Sequence, residues 1–77
     1  MSYKTALTPR EIEVAELLVQ GLSYLEMARR LIIGRNTIMT HVLHIYQKLG
    51  LSNRYELMAL RIKELEDEIK ELKSKRT

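Results

Sequence analysis

The chain has 77 residues, no cysteine, a single proline and a formal net charge of +3. That length supports one small domain with a modest core, and the missing cysteines exclude both a disulfide scaffold and a thiolate metal site. No apolar run approaches the ~20 residues needed to cross a bilayer, and the opening MSYKTALTPRE lacks the apolar core of a signal peptide. A soluble protein of a reducing cytoplasm is expected. The charge is uneven. Glu11, Glu13, Glu16 and Glu26 precede Met27 and the next acid is Glu56, whereas Arg29, Arg30, Arg35, Lys48 and Arg54 lie between them. Basic potential in the middle of a small chain attracts phosphate.

In chain order, the first helix is signalled by Thr8 and Glu11 as a capping box, with Pro9 at the first helical position, where its missing N–H is harmless. Leu7 and Ile12 flank this cap as a hydrophobic staple, and Gly21 closes the helix. Ser23 and Glu26 box a second start, stapled by Leu22 and Met27. A third start falls at Gly34, between Ile33 and Ile38, with no side chain to cap it, and Gly50 ends that helix. Asn53 and Glu56 box a fourth. The predicted helices are 9–20, 24–31, 35–49 and 54–74.

Helical spacing assigns the core: Val14, Leu17, Leu18 and Leu22 form one stripe; Met27, Ala28 and Leu31 a second; Ile38, Val42, Ile45 and Leu49 a third. No strand-like alternation occurs, so the fold class is all-α. Two short helices joined by a tight turn, the second longer and polar at its start, describe a helix-turn-helix. Small Ala28 suits the close crossing of the two helices, and Ile33 fills the turn.

The stretches LTPREIEV (7–14), LLVQGLSYLEMARRL (17–31), TIMTHVLHIYQKLGL (37–51) and SNRYE (52–56) resemble the DNA-binding domain of the LuxR/FixJ/NarL family of bacterial transcription regulators. The resemblance implies a four-helix domain whose third helix enters the major groove and whose fourth commonly pairs two subunits. It also implies a receiver or ligand-binding domain in most members; this chain contains neither and looks like a small stand-alone one. Opposite the core stripe, the third helix carries Asn36, Met39, Thr40, Leu43 and Gln47, the face that meets base edges in a helix-turn-helix. Asn36 and Gln47 suit hydrogen bonds to bases or phosphates; Met39, Thr40 and Leu43 suit thymine methyls. Arg35, Lys48 and Arg54, together with Ser23, Tyr24 and Thr37 near helix starts, are the expected phosphate contacts.

By the same resemblance, the positions of Met39 and Leu43 often carry Lys or Arg, so readout here should lean on methyl contacts and DNA shape rather than arginine–guanine forks. The competing reading is a protein-binding adaptor or antagonist of another regulator, using the apolar face of helix 35–49 or the C-terminal helix. His41 and His44 lack a third metal ligand, and no catalytic constellation is present. The expectation is no enzyme, no metal and no cofactor.

Beyond Met58 the apolar spacing tightens to a strict heptad: Met58, Ile62, Leu65, Ile69 and Leu72 occupy d, a, d, a, d. Ile at a with Leu at d favours a parallel two-stranded coil. Arg61 opposite a partner's Glu66, and Glu68 opposite its Lys73, agree in sign. The predicted organisation is a helix-turn-helix domain over 1–60 and a coiled-coil extension over 61–77. The expected protein is a bacterial, cytoplasmic, nucleoid-associated regulator that binds double-stranded DNA as a parallel homodimer, with RNA polymerase or another regulator as a further partner.

Overall fold

A computed structural model describes residues 3–75. After a 3-10 turn at Tyr3–Ala6 come four α-helices: α1 (Pro9–Val19), α2 (Tyr24–Leu31), α3 (Arg35–Leu49) and α4 (Arg54–Lys75). No strand occurs among the described residues. The all-helical expectation holds, with α2 and α3 at the predicted bounds, α1 one residue shorter and α4 one residue longer.

The helix starts follow the capping chemistry. Thr8 Oγ1 accepts from Glu11 N–H at 3.2 Å while Thr8 N–H donates to Glu11 Oε1 at 2.9 Å. Ser23 and Glu26 repeat the exchange at 3.1 and 3.2 Å. At α4 the box is displaced: Asn53 Oδ1 accepts from Glu56 N–H at 3.0 Å, but the returning carboxylate takes the N–H of Ser52 at 3.4 Å. Gly34 begins α3 with no side-chain cap. Gly50, at φ 68°, ends it in the left-handed conformation that costs glycine little.

Between α2 and α3 the left-handed position falls on Ile32, at φ 56° and 89% exposed. A β-branched residue there is strained. The turn nonetheless closes, because Ile33 N–H donates to Ala28 carbonyl at 3.1 Å and Ile33 packs against the core.

α1 packs on α3 and α4, and α2 packs on α3. Val14, Leu18, Met27, Ile38 and Ile45 are fully buried, as their stripes predict. Leu22, Leu31 and Leu49 sit at the margin of the core, partly buried. Four core members lie outside the predicted stripes: Tyr3, Leu7, Ala15 and Leu57. Leu57 is fully buried and ties α4 to the domain; Tyr3 is buried beneath the N-terminal turn, and its backbone N–H donates to Glu64 Oε1 on α4 at 2.6 Å.

The one buried carboxylate among the described residues, Glu11, also accepts from Lys48 Nζ at 2.7 Å, joining the start of α1 to the end of α3. The Lys48 bond, then the Thr8 N–H, holds the Glu11 carboxyl below the usual glutamate range.

α4 outruns the body it packs on. Its 22 residues make a rod of about 33 Å, and from Leu65 to Ser74 every residue is exposed. The molecule measures 49 × 23 × 21 Å with a radius of gyration of 14.0 Å, against about 11.5 Å for a compact chain of this length. The helix is unbroken through residue 61, so the predicted division between 1–60 and 61–77 falls inside one helix.

Candidate nucleic-acid interface

The geometry of α3 is set by what it buries. Ile38, Val42 and Ile45 recur at helical spacing and are buried against α1 and α2. That rotation turns Asn36, Met39, Thr40, Leu43 and Gln47 outward, all five exposed. Met39 and Leu43 are 47% and 54% exposed, a large apolar surface for one helix face. Thr40 donates its hydroxyl proton to the Asn36 carbonyl at 3.0 Å. Its oxygen lone pairs and its methyl therefore remain for whatever meets this face.

A groove of about 350 Å³ opens beside these residues, lined by Tyr24, Met39, Thr40, Val42, Leu43 and Tyr46. Its wall links the start of α2 to the middle of α3. Arg54 lies over one of the lining rings, its guanidinium carbon 5.7 Å from the centre of Tyr24, within cation–π range. Tyr46 is half-buried; burial first, then Tyr24, raises its hydroxyl pKa, with Arg54 acting in the opposite direction. The phenol stays neutral at physiological pH and retains its proton for donation. Tyr46 was not among the sequence-predicted site residues. The signal was available: it follows Leu43 by three positions and so lies beside it on the helix surface.

The cations divide into two groups. Arg35 and Arg54 open α3 and α4, and the first turn of α3 contains no acid. A cation at a helix N-terminus opposes the macrodipole, costing a few tenths of a kcal/mol, so these two arginines weaken the helices they begin. A phosphate would reverse that penalty. Lys48 differs: its ammonium already pairs with Glu11 at 2.7 Å, which lowers its value as a phosphate ligand. At the start of α2, Ser23 N–H is engaged by Glu26. The Ser23 hydroxyl proton and the N–H groups of Tyr24 and Leu25 remain as donors, that of Glu26 being held by Ser23 Oγ, with the exposed Glu26 carboxylate close by. Thr37 is exposed in the first turn of α3. Among the described residues no group of three or more His, Asp or Glu is arranged to hold a metal, and no helix is long and apolar enough to cross a membrane.

A fully buried three-residue stripe and an outward polar-apolar face on the second helix of a tight helix pair define a helix-turn-helix DNA-binding domain. Residues 5–60 match the sequence profile of the bacterial regulatory proteins, luxR family, and the chain belongs to that family of DNA-binding transcription regulators. It is 43% identical over 65 residues to the spore germination protein GerE of Bacillus subtilis, a match spanning 82% of this chain and 88% of GerE. Over 50 residues it is 44% identical to the nitrate/nitrite response regulator NarL of Escherichia coli, covering 65% of this chain but 23% of NarL. A Mycobacterium bovis protein named as an HTH-type transcriptional regulator, Mb0914c, is 43% identical over 53 residues; the match covers 69% of this chain and 6% of that protein.

Proposed function

We propose that this chain is a sequence-specific transcription regulator that binds DNA as a parallel homodimer, each subunit placing α3 in the major groove of one half-site. The observation that carries this reading is the two-sidedness of α3. Ile38, Val42 and Ile45 lock it to the body, while Asn36, Met39, Thr40, Leu43 and Gln47 are all exposed, with Arg35 at the start of α3 and Arg54 at the start of α4. Base readout is assigned to the five projecting residues. Phosphate contact is assigned to Arg35, Arg54, Thr37, Ser23 and Tyr24, with Lys48 contributing less because Glu11 holds it.

The dimer is assigned to α4. Ile62, Leu65, Ile69 and Leu72 are 40–64% exposed along one seam, and Met58, partly buried, continues it into the domain. Thirteen or so residues of helix projecting alone are marginal in water, whereas a second copy buries the seam. Pairing makes the second half-site contact intramolecular, which raises affinity without any new protein–DNA contact.

The exposed Met39 and Leu43 also favour a second reading, in which α3 docks on another regulator and DNA is bound poorly. Fluorescence anisotropy of the full chain with a random duplex pool, across a salt series, separates the two. If a dimer neutralises about 6–10 phosphates, log K against log salt falls with a slope of about −5 to −9. A slope near zero, or no binding at low salt, refutes the DNA reading.

A further inference from the structure

The groove beside α3 has a chemistry that the helix face alone does not. Its lining is almost wholly hydrocarbon: the thioether and methylenes of Met39, the isobutyl of Leu43, Val42 and the flanks of two tyrosine rings. Thr40 engages its own hydroxyl proton with the Asn36 carbonyl. The surroundings are cationic, with Arg54 against Tyr24 and Arg35 one turn before Met39. From Met27 to Tyr55 the sequence has no acid. An apolar groove with Arg54 on the Tyr24 ring and Arg35 a turn before Met39, outnumbering the exposed Glu26 at the start of α2, complements an apolar substituent flanked by phosphates. In the major groove one base substituent is both apolar and projecting, the 5-methyl group of thymine.

We infer that the Tyr24–Met39–Leu43–Tyr46 groove is a specificity pocket for a pyrimidine 5-methyl group, so that the protein reads a methylated pyrimidine at a defined half-site position and treats 5-methylcytosine there as a partial substitute for thymine. The inference rests on the proposed major-groove docking of α3 and adds the ligand of that site. Leu43 and Met39 close over the methyl; Tyr24 and Tyr46 form the back wall. Tyr24 has a second task, because the arginine stacked on its ring is poised for the phosphate flanking the same nucleotide. An acidic amphipathic helix from another protein would satisfy the same charge, and it becomes the favoured occupant if the chain binds no duplex.

The full chain is first used to select duplexes from a random pool. Each thymine of the selected site is then replaced by deoxyuridine, which pairs identically and lacks only the methyl. One position in each half-site should lose threefold to tenfold in affinity. Transfer of one methyl group out of water, about 0.8 kcal/mol, corresponds to about fourfold at 1.4 kcal/mol per tenfold. At that position C·G should bind worse than T·A, and 5-methylcytosine·G should recover threefold to tenfold over C·G. Leu43→Ala changes an exposed residue and leaves the fold intact; it should abolish the thymine–uracil difference while preserving the salt slope. If binding persists but thymine and uracil agree within twofold everywhere, the pocket does not read a methyl, although the groove-docking reading stands. Discrimination that survives both Leu43→Ala and Met39→Ala places the methyl elsewhere and overturns the inference. Failure to bind any duplex removes the docking reading and the pocket with it.

Discussion

Single residues of this protein show where local physics and function conflict. Gly34 caps α3 with bare backbone, and a Cβ built there meets only Thr37 Oγ1, at an ordinary 3.9 Å. Gly34→Ser should therefore fit, accept a first-turn N–H and reduce the unfolded chain's freedom. We expect a gain of about 0.5–1 kcal/mol, read as a rise in Tm of several degrees by circular dichroism at fixed protein concentration. An unchanged or lower Tm would mean that the open cap is not the weak point of α3. Glu11 is the opposite case, a well-satisfied charge. Its carboxyl pKa is depressed in the fold by Lys48 and Thr8, so the stabilisation is present above the ordinary glutamate pKa of about 4.3 and disappears as pH falls through the lower folded value. Glu11→Gln should cost about 1–2 kcal/mol at pH 7 and almost nothing near pH 2. Urea midpoints across that range would show it; a pH-independent cost would assign the role of Glu11 to packing.

At the scale of elements, α4 is two helices in one. Its first half is core: Leu57 is fully buried and packs with the same cluster as Val14 and Leu18. Leu57→Ala should destabilise the fold by about 2–5 kcal/mol, visible as a shifted denaturant midpoint in a monomeric background as well as in the full assembly. A loss below 1 kcal/mol would mean that α4 contributes little to the domain's core. Its second half is exposed seam. The N-terminal turn joins the halves, because Tyr3 N–H reaches Glu64, beyond the last residue of the profile match. Removing residues 62–77 would therefore strip the partner of Tyr3 along with the seam, and a point substitution farther out is the cleaner test of pairing.

At the scale of the molecule, that substitution is Ile69→Lys, which sets two lysines against each other at one layer of the proposed coil while touching neither Leu57 nor Glu64. Sedimentation at micromolar concentration should give a dimer for the parent chain and mostly monomer for the variant. Affinity for paired half-sites should fall tenfold or more, while a single half-site is still held. A parent chain that sediments as a monomer contradicts the coil, and a dimer indifferent to Ile69→Lys moves the interface toward Met58. The elongation of the molecule, 49 Å along an axis against 23 and 21 Å across, comes from this projecting helix.

The local signals in the sequence were enough for what local physics controls. Capping boxes at Thr8 and Ser23, Gly50 at a left-handed end, and apolar residues at helical spacing set the helices to within a residue, along with the inward faces of α1 to α3. The outward face of α3 followed by subtraction, because a helix whose Ile38, Val42 and Ile45 point inward has no choice about Met39 and Leu43. Other features needed tertiary structure, since they depend on residues far apart in sequence. Nothing near Lys48 indicates that Glu11, 37 positions away, holds it. Leu57 stands outside the heptad that begins at Met58, and its burial depends on where α1 lies. Tyr3 sits in a segment with no periodic signal and is buried where the N-terminal turn packs on α3 and reaches Glu64 of α4. The groove exists only where the start of α2 meets the flank of α3, bringing Tyr24 and Tyr46 to one wall across 22 positions of chain.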